Sequence, residues 1–109
     1  ITEGVFDAVV AGPNAVPLLG STLRPNSKLF MKIVQNDTPV FIALDPDAEK
    51  KEQRIIKLFL SYGLEVYKID VGGYEDVAEM GKEEFLRRKE KAVLVRETDY
   101  LLEQAIANI

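Results

Sequence analysis

Apolar and polar residues alternate in blocks along the chain, and the blocks predict a succession of strands and helices. Residues 40–44 form a continuous apolar run between turn-forming residues, which is typical of a strand covered on both faces. Apolar residues recur at helical spacing within 48–62, and Gly63 follows as a helix-ending residue. The predicted strands are 15–19, 40–44, 64–69 and 92–95, and the predicted helices are 5–11, a segment between Pro25 and Asn36, 48–62, 82–91 and 99–107.

The alternation of strands and helices predicts parallel pairing through crossover helices, because a helix returns the chain to the edge where the next parallel strand starts. We therefore expect a Rossmann-like α/β fold with a mostly parallel central sheet of about four strands and helices on both faces. The 109 residues suit a single domain, residues 1–109. Since the sequence opens with Ile1 and no initiator Met, we expect this domain to be excised from a longer multidomain protein.

Composition narrows the chemistry that the domain can perform. The chain has no Cys and no His, which excludes disulfides, thiolate or imidazole metal ligands, and His-dependent catalysis. Oxygen ligands favour Mg²⁺ or Mn²⁺. The net charge of −4 predicts that any binding to nucleic acid needs a metal or a basic neighbour. No apolar run approaches the roughly 20 residues that span a bilayer, so we expect an intracellular protein without a membrane partner.

Acidic residues are predicted at the edge of the sheet where parallel α/β proteins bind ligands, the carboxyl ends of the strands. Asp45 and Asp47 directly follow the predicted central strand, and residues two apart in an extended segment project to the same side. With Glu3, just before the first predicted helix, they form a candidate site for a divalent cation. The alternative is helix capping, with Asp45 as N-cap, Pro46 at the first helical position and Asp47 in the first turn.

Four segments resemble the successive motifs of the Toprim domain. They are EGVFDA at 3–8, LLGST at 18–22, FIALDPDA at 41–48 and YEDVAE at 74–79, which together extend over most of the chain. The resemblance implies a compact α/β fold in which Glu3 and the pair Asp45 and Asp47 hold magnesium for phosphoryl transfer on nucleic acids.

Within Toprim, the four-residue spacing from Glu3 to Asp7 and the Leu-Gly-Ser-Thr stretch are similar to bacterial-type and bacteriophage DNA primases. Asp76 stands in a segment that is similar to the primase Asp-x-x-Glu, which adds an acid to the metal site. The resemblance implies three catalytic residues that are also metal ligands, Glu3, Asp45 and Asp47, with Asp76 as a further ligand of two Mg²⁺ or Mn²⁺ ions in the substrate complex. The predicted contacts to nucleotide or nucleic acid are Lys50, Lys51, Gly4, Asp7 and Gly20.

The expected function is that of the Toprim module of a DNA primase, which makes RNA primers in DNA replication. Its expected partners are nucleoside triphosphates and a single-stranded DNA template held by flanking basic modules, with a helicase as a separate or fused partner. The expected location is the cytoplasm of a bacterial or phage-infected cell, at the nucleoid. Three alternatives stay open: a Toprim nuclease that uses water as nucleophile, a receiver-like signalling domain and a non-catalytic Toprim interaction module.

Overall fold

The computed structural model describes residues 1–2, 4–18 and 26–96, and within these ranges the chain forms five helices and three strands. The helices are α1 (Val5–Ala11), α2 (Lys28–Gln35), α3 (Glu49–Ser61), α4 (Val77–Met80) and α5 (Lys82–Glu90). The strands are β1 (Val40–Ile42), β2 (Val66–Lys68) and β3 (Val93–Val95). These elements confirm a small α/β domain. The helix predicted over 99–107 lies outside the described residues.

Local signals explain where the longer helices begin and end. The hydroxyl oxygen of Ser27 accepts the amide N–H of Phe30 at 3.2 Å, which caps the start of α2. Helix α3 ends at Ser61, and Gly63 takes a left-handed conformation with φ of +75°, as expected for a glycine just past a helix end. No helix within the described residues is both long and apolar enough to cross a membrane.

The sheet has the order β1-β2-β3, with β1 parallel to β2 and β2 antiparallel to β3. On the other side of β1, Thr2 forms parallel bridges to both Ala43 and Pro17. The amide N–H of Ala43 donates to the carbonyl of Ile1 at 2.9 Å, and that of Leu18 donates to the carbonyl of Thr2 at 2.9 Å. Residues 1–2 and 16–18 therefore lie beside β1 through isolated parallel bridges, outside the three strands of the sheet.

The prediction of a mostly parallel sheet of about four strands was wrong, because the described sheet has three strands and is mixed. The reason lies in the connection between β2 and β3. Helix α5 ends beside the loop that follows β2, so the chain re-enters the sheet at the edge it has just left. Val93 accordingly pairs with Lys68, the last residue of β2, and β3 must run antiparallel.

Both faces of the sheet are covered, as predicted. On one face, Val40, Ile42 and Leu44 of the β1 region pack against α2 and α3, whose buried residues include Phe30 and Phe59. On the opposite face a second buried cluster joins residues that follow β1 and β2 to α4 and α5; its members are Ala43, Ile69, Val71, Val77, Met80 and Phe85. Helix α1 packs against α4 and α5 on that second face. The apolar run 40–44 is thus a strand region between two helical layers.

Arg88 of α5 anchors the loop that follows β2. Its Nη1 donates to the carbonyl oxygens of Asp70 and Gly72 at 2.9 and 2.8 Å, and its guanidinium lies 5.2 Å from the centre of the Tyr74 ring. The Nε donates to Glu84 at 3.4 Å. These contacts fix the loop between β2 and α4 and the entry of the chain into α4.

Replacing Arg88 with Met is expected to destabilise the domain by about 1 kcal/mol. Hydrogen bonds from a charged donor contribute roughly 1.5–3 kcal/mol, but water can replace the donor in this exposed loop. Urea unfolding measures the change. Arg87→Met is the matched control, because Arg87 is mostly exposed and pairs with Glu84 at 3.4 Å on the same helix, so its loss should cost less than about 0.5 kcal/mol. Equal costs for the two variants would contradict the anchoring role.

Candidate functional site

The parallel segments of the sheet all end at the same edge. Strand β1 continues through Ala43 to Asp45, and Thr2 lies beside Ala43 in a parallel bridge. Strand β2 runs parallel to β1 and leads into the loop that begins at Asp70. Ligands of parallel α/β sheets bind at this edge, since the loops converge there and the amino ends of the following helices point towards it.

Asp45 and Asp47 lie on a turn between β1 and α3. The carbonyl of Asp45 accepts the amide N–H of Ala48 at 2.9 Å, which closes the turn. Helix α3 begins only at Glu49, and Ala48 occupies the N-cap position without a side-chain hydrogen bond. The N-cap position of α3 is therefore not Asp45, and the positions that the capping alternative gave to Asp45, Pro46 and Asp47 were wrong. Asp45 is half-buried with a buried Oδ1 atom, and Asp47 is exposed.

A surface depression of about 610 Å³ opens at this turn. Its lining residues are Asp45, Asp47, Ala48, Glu49, Lys50 and Lys51. The structure therefore brings together two predicted metal ligands and both lysines predicted to contact phosphate. Carboxylates beside ammonium groups in one depression suit a ligand that carries both a metal ion and phosphate oxygens.

Two of the predicted site residues, Glu3 and Gly20, lie outside the described residues. The segment that precedes Glu3 is described, and it runs beside the carboxyl end of β1. The amide N–H of Thr2 donates to Val16 at 3.0 Å, and the carbonyl of Ile1 accepts from Ala43 at 2.9 Å. In the sequence, Glu3 directly follows Thr2 and Asp45 follows Ala43 by two positions.

Asp76 caps α4. Its Oδ1 accepts the amide N–H of Glu79 at 2.8 Å, while Oε2 of Glu79 accepts the amide N–H of Glu75 at 2.7 Å. Two backbone donors at the start of the helix are thereby satisfied by side chains, one by the N-cap Asp76 and one, on the residue before the cap, by Glu79. The cap occupies one carboxylate oxygen of Asp76, and its role as a metal ligand stays a prediction.

Asp7 is buried, and both of its carboxylate oxygens accept backbone hydrogen bonds. Oδ2 accepts from Gly4 at 3.0 Å, and Oδ1 accepts from Ala78, in the first turn of α4, at 2.9 Å. A Cβ atom on Gly4 would lie 3.3 Å from Oδ2, so the glycine allows the carboxylate to approach closely. The predicted contacts of Gly4 and Asp7 with nucleotide stay predictions.

The sequence analysis missed an ion pair that joins α3 to the sheet near this edge. Lys68, at the end of β2, lies with its Nζ 3.1 Å from Oε1 of Glu52, whose side chain is almost fully buried. The available signal was the position of Glu52 three and four residues before Ile55 and Ile56, on the apolar stripe of the helix. The pair links the first turns of α3 to the end of β2.

Across the described part of the chain, which includes Asp45, Asp47 and Asp76 but not Glu3, no group of three acidic side chains is arranged to hold a metal ion. Comparison with known proteins assigns no family: no family model matches the chain, and neither a curated protein nor a solved structure gives a significant match.

Proposed function

We propose that this domain binds Mg²⁺ or Mn²⁺ at the turn after β1 and performs metal-dependent nucleotidyl transfer on nucleic acid, as the Toprim module of a DNA primase. The observation that carries the proposal is the acidic turn. Asp45 and Asp47 follow β1 at the edge of the sheet where parallel α/β proteins bind ligands, and they share a depression with Lys50 and Lys51. The surrounding segments resemble Toprim motifs, and this resemblance is the reason for proposing nucleotidyl transfer as the reaction.

In this proposal each group of the site has a separate task. Glu3, Asp45 and Asp47, with Asp76, hold two ions, which would neutralise the triphosphate and activate the attacking 3′ hydroxyl. Lys50, exposed at the start of α3, and Lys51 contact phosphate oxygens. Magnesium keeps several waters and shares its ligands with substrate phosphates, so the affinity for the metal alone is expected to be weak and to rise with nucleotide.

The net charge of −4 makes flanking basic modules necessary for holding the single-stranded template. The domain would act beside a helicase in the cytoplasm. We expect these 109 residues alone to show little or no primer synthesis when supplied with template, nucleoside triphosphates and Mn²⁺. Efficient synthesis by the isolated chain would contradict the need for basic partners. Cleavage of the template without nucleotide addition would favour the nuclease alternative.

Titration with MnCl₂, followed by backbone NMR, tests the metal site. Paramagnetic broadening is expected first at the amides of residues 44–51. When ATP is added, the same broadening should occur at a lower MnCl₂ concentration, because the affinity for the metal rises with nucleotide. The amides of 36–38, which precede β1 at the opposite edge, serve as the internal control and should broaden last. Broadening that is equal at both edges, or that centres elsewhere, would reject the site.

A further inference from the structure

Two segments that carry predicted metal ligands are joined by a single buried side chain. Gly4, the neighbour of Glu3, donates its amide N–H to Oδ2 of Asp7 at 3.0 Å. Ala78, two residues after Asp76, donates its amide N–H to Oδ1 of the same carboxylate at 2.9 Å. The second bond spans 71 residues of sequence and links the start of α1 to the start of α4.

The surroundings of Asp7 suit a fixed link. The residue is only 6% exposed, and it occupies the third position of α1, where a carboxylate is favoured by the helix dipole. Each oxygen already accepts one amide, and α1 packs directly against α4. A carboxylate held in this way has little freedom to turn towards solvent and contact a substrate.

We propose that Asp7 is a positioning residue, which holds the segments of Glu3 and Asp76 in register for metal binding, in place of the nucleotide contact predicted from sequence. This inference rests on the proposed function, because it concerns the geometry of the same metal site. Groups that orient metal ligands without touching the metal are known to influence affinity strongly.

Asp7→Asn tests the link with almost no change in shape. An Asn side chain has one acceptor oxygen and one NH₂ donor, so whichever way it turns, one of the two backbone N–H groups loses its partner. We expect Mn²⁺ alone to bind the folded variant about tenfold more weakly than wild type, which is the lower end of the loss typical for groups supporting a ligand. Isothermal titration with MnCl₂ measures the affinity, and urea unfolding gives the folded fraction.

Val34→Ala is the matched control for a loss of stability. Val34 lies in the last turn of α2, which leads to the opposite edge of the sheet, and it packs partly buried against the core of the other face. This variant should be destabilised but should bind Mn²⁺ like wild type. Wild-type affinity in folded Asp7→Asn would overturn the positioning role. Failure of wild type to bind Mn²⁺ would instead refute the proposed function, and the inference with it.

A measurement on the wild-type protein keeps the proposal testable where Asp7→Asn does not fold. Hydrogen exchange at the amides of Gly4 and Ala78 is compared without metal and with saturating MgCl₂ plus ATP. A positioning role requires both amides to stay protected, because Asp7 keeps both bonds while the site is occupied. Loss of protection at either amide on ligand binding would show that Asp7 turns to the ligand, and would overturn the proposal.

Discussion

Asp45→Asn is expected to weaken Mn²⁺ binding by about a hundredfold or more, because the loss of a direct ligand should reach at least the upper end of the loss seen for supporting groups. Asparagine keeps the size of the side chain and the turn, whose closing hydrogen bond uses the backbone carbonyl of residue 45. The fold should therefore persist. Paramagnetic broadening at residues 44–51 should disappear at concentrations that broaden the wild type, and titration calorimetry should give no measurable binding in the same range.

Glu49→Gln is the matched control, since it removes the same charge from the lining of the same depression. Glu49 is not among the metal ligands predicted from the sequence. It belongs to the first turn of α3, and its carboxylate accepts a hydrogen bond from Nε2 of Gln53 at 3.5 Å. Exposed charges interact by about 0.2–1 kcal/mol, which corresponds to a change of no more than about fivefold. Equal losses in Asp45→Asn and Glu49→Gln would mean that Mn²⁺ is attracted only by diffuse negative charge, and the ligand role of Asp45 would be refuted.

Much of the fold could be predicted because its signals are local. The apolar run at 40–44 lies between two helical layers, and the helical spacing within 48–62 corresponds to α3. Each of these patterns spans several residues and depends only on which side chains of the segment are buried. Gly63 marked the end of α3 because a chain leaving a helix often adopts a positive φ, which glycine allows most readily.

The direction of β3 and the presence of α4 could not be predicted. Helix α4 covers only Val77–Met80, which is too short to display a period, and it is held by contacts from distant residues. The antiparallel direction depends on where α5 ends, and Arg88 fixes that position through backbone carbonyls 16 and 18 residues away. Charged residues on an exposed helix face give no sign of such bonds.

For the candidate site, the sequence placed Asp45 and Asp47 correctly after β1. The two residues lie close to each other because only one residue separates them in the chain. It could not say whether Asp45 is the N-cap of the next helix, because an acid directly before a helix fits both a cap and a metal ligand. The N-cap is Ala48, and the residue at which α3 starts differs by only a few positions that tertiary packing determines. Metal binding by the pair stays a prediction. The two bonds of Asp7 were also hidden, because one partner lies 71 residues away.

Phe59→Ala should produce the largest loss of stability. Phe59 is fully buried in α3 and stacks on Phe30 of α2 with ring centres 5.5 Å apart, so it joins the two helices that cover one face of the sheet. Truncating a buried Phe to Ala costs about 3–5 kcal/mol, from lost burial and the cavity left behind. A domain of this size has a total stability of roughly 5–15 kcal/mol, so the variant should lose a large part of it.

Urea unfolding measures this loss as a fall in the midpoint with little change in slope. Tyr62→Ala is the control, because Tyr62 contacts the same Phe30 edge-on at 5.0 Å but is 50% exposed. Its edge-to-face contact should contribute about 1 kcal/mol beyond its burial, a smaller loss than that of Phe59. If the two truncations cost the same, the layer of α2 and α3 would not be packed around Phe59. The placement of the acidic turn at the start of α3 would then lose its support, because that helix is held on the sheet by this core.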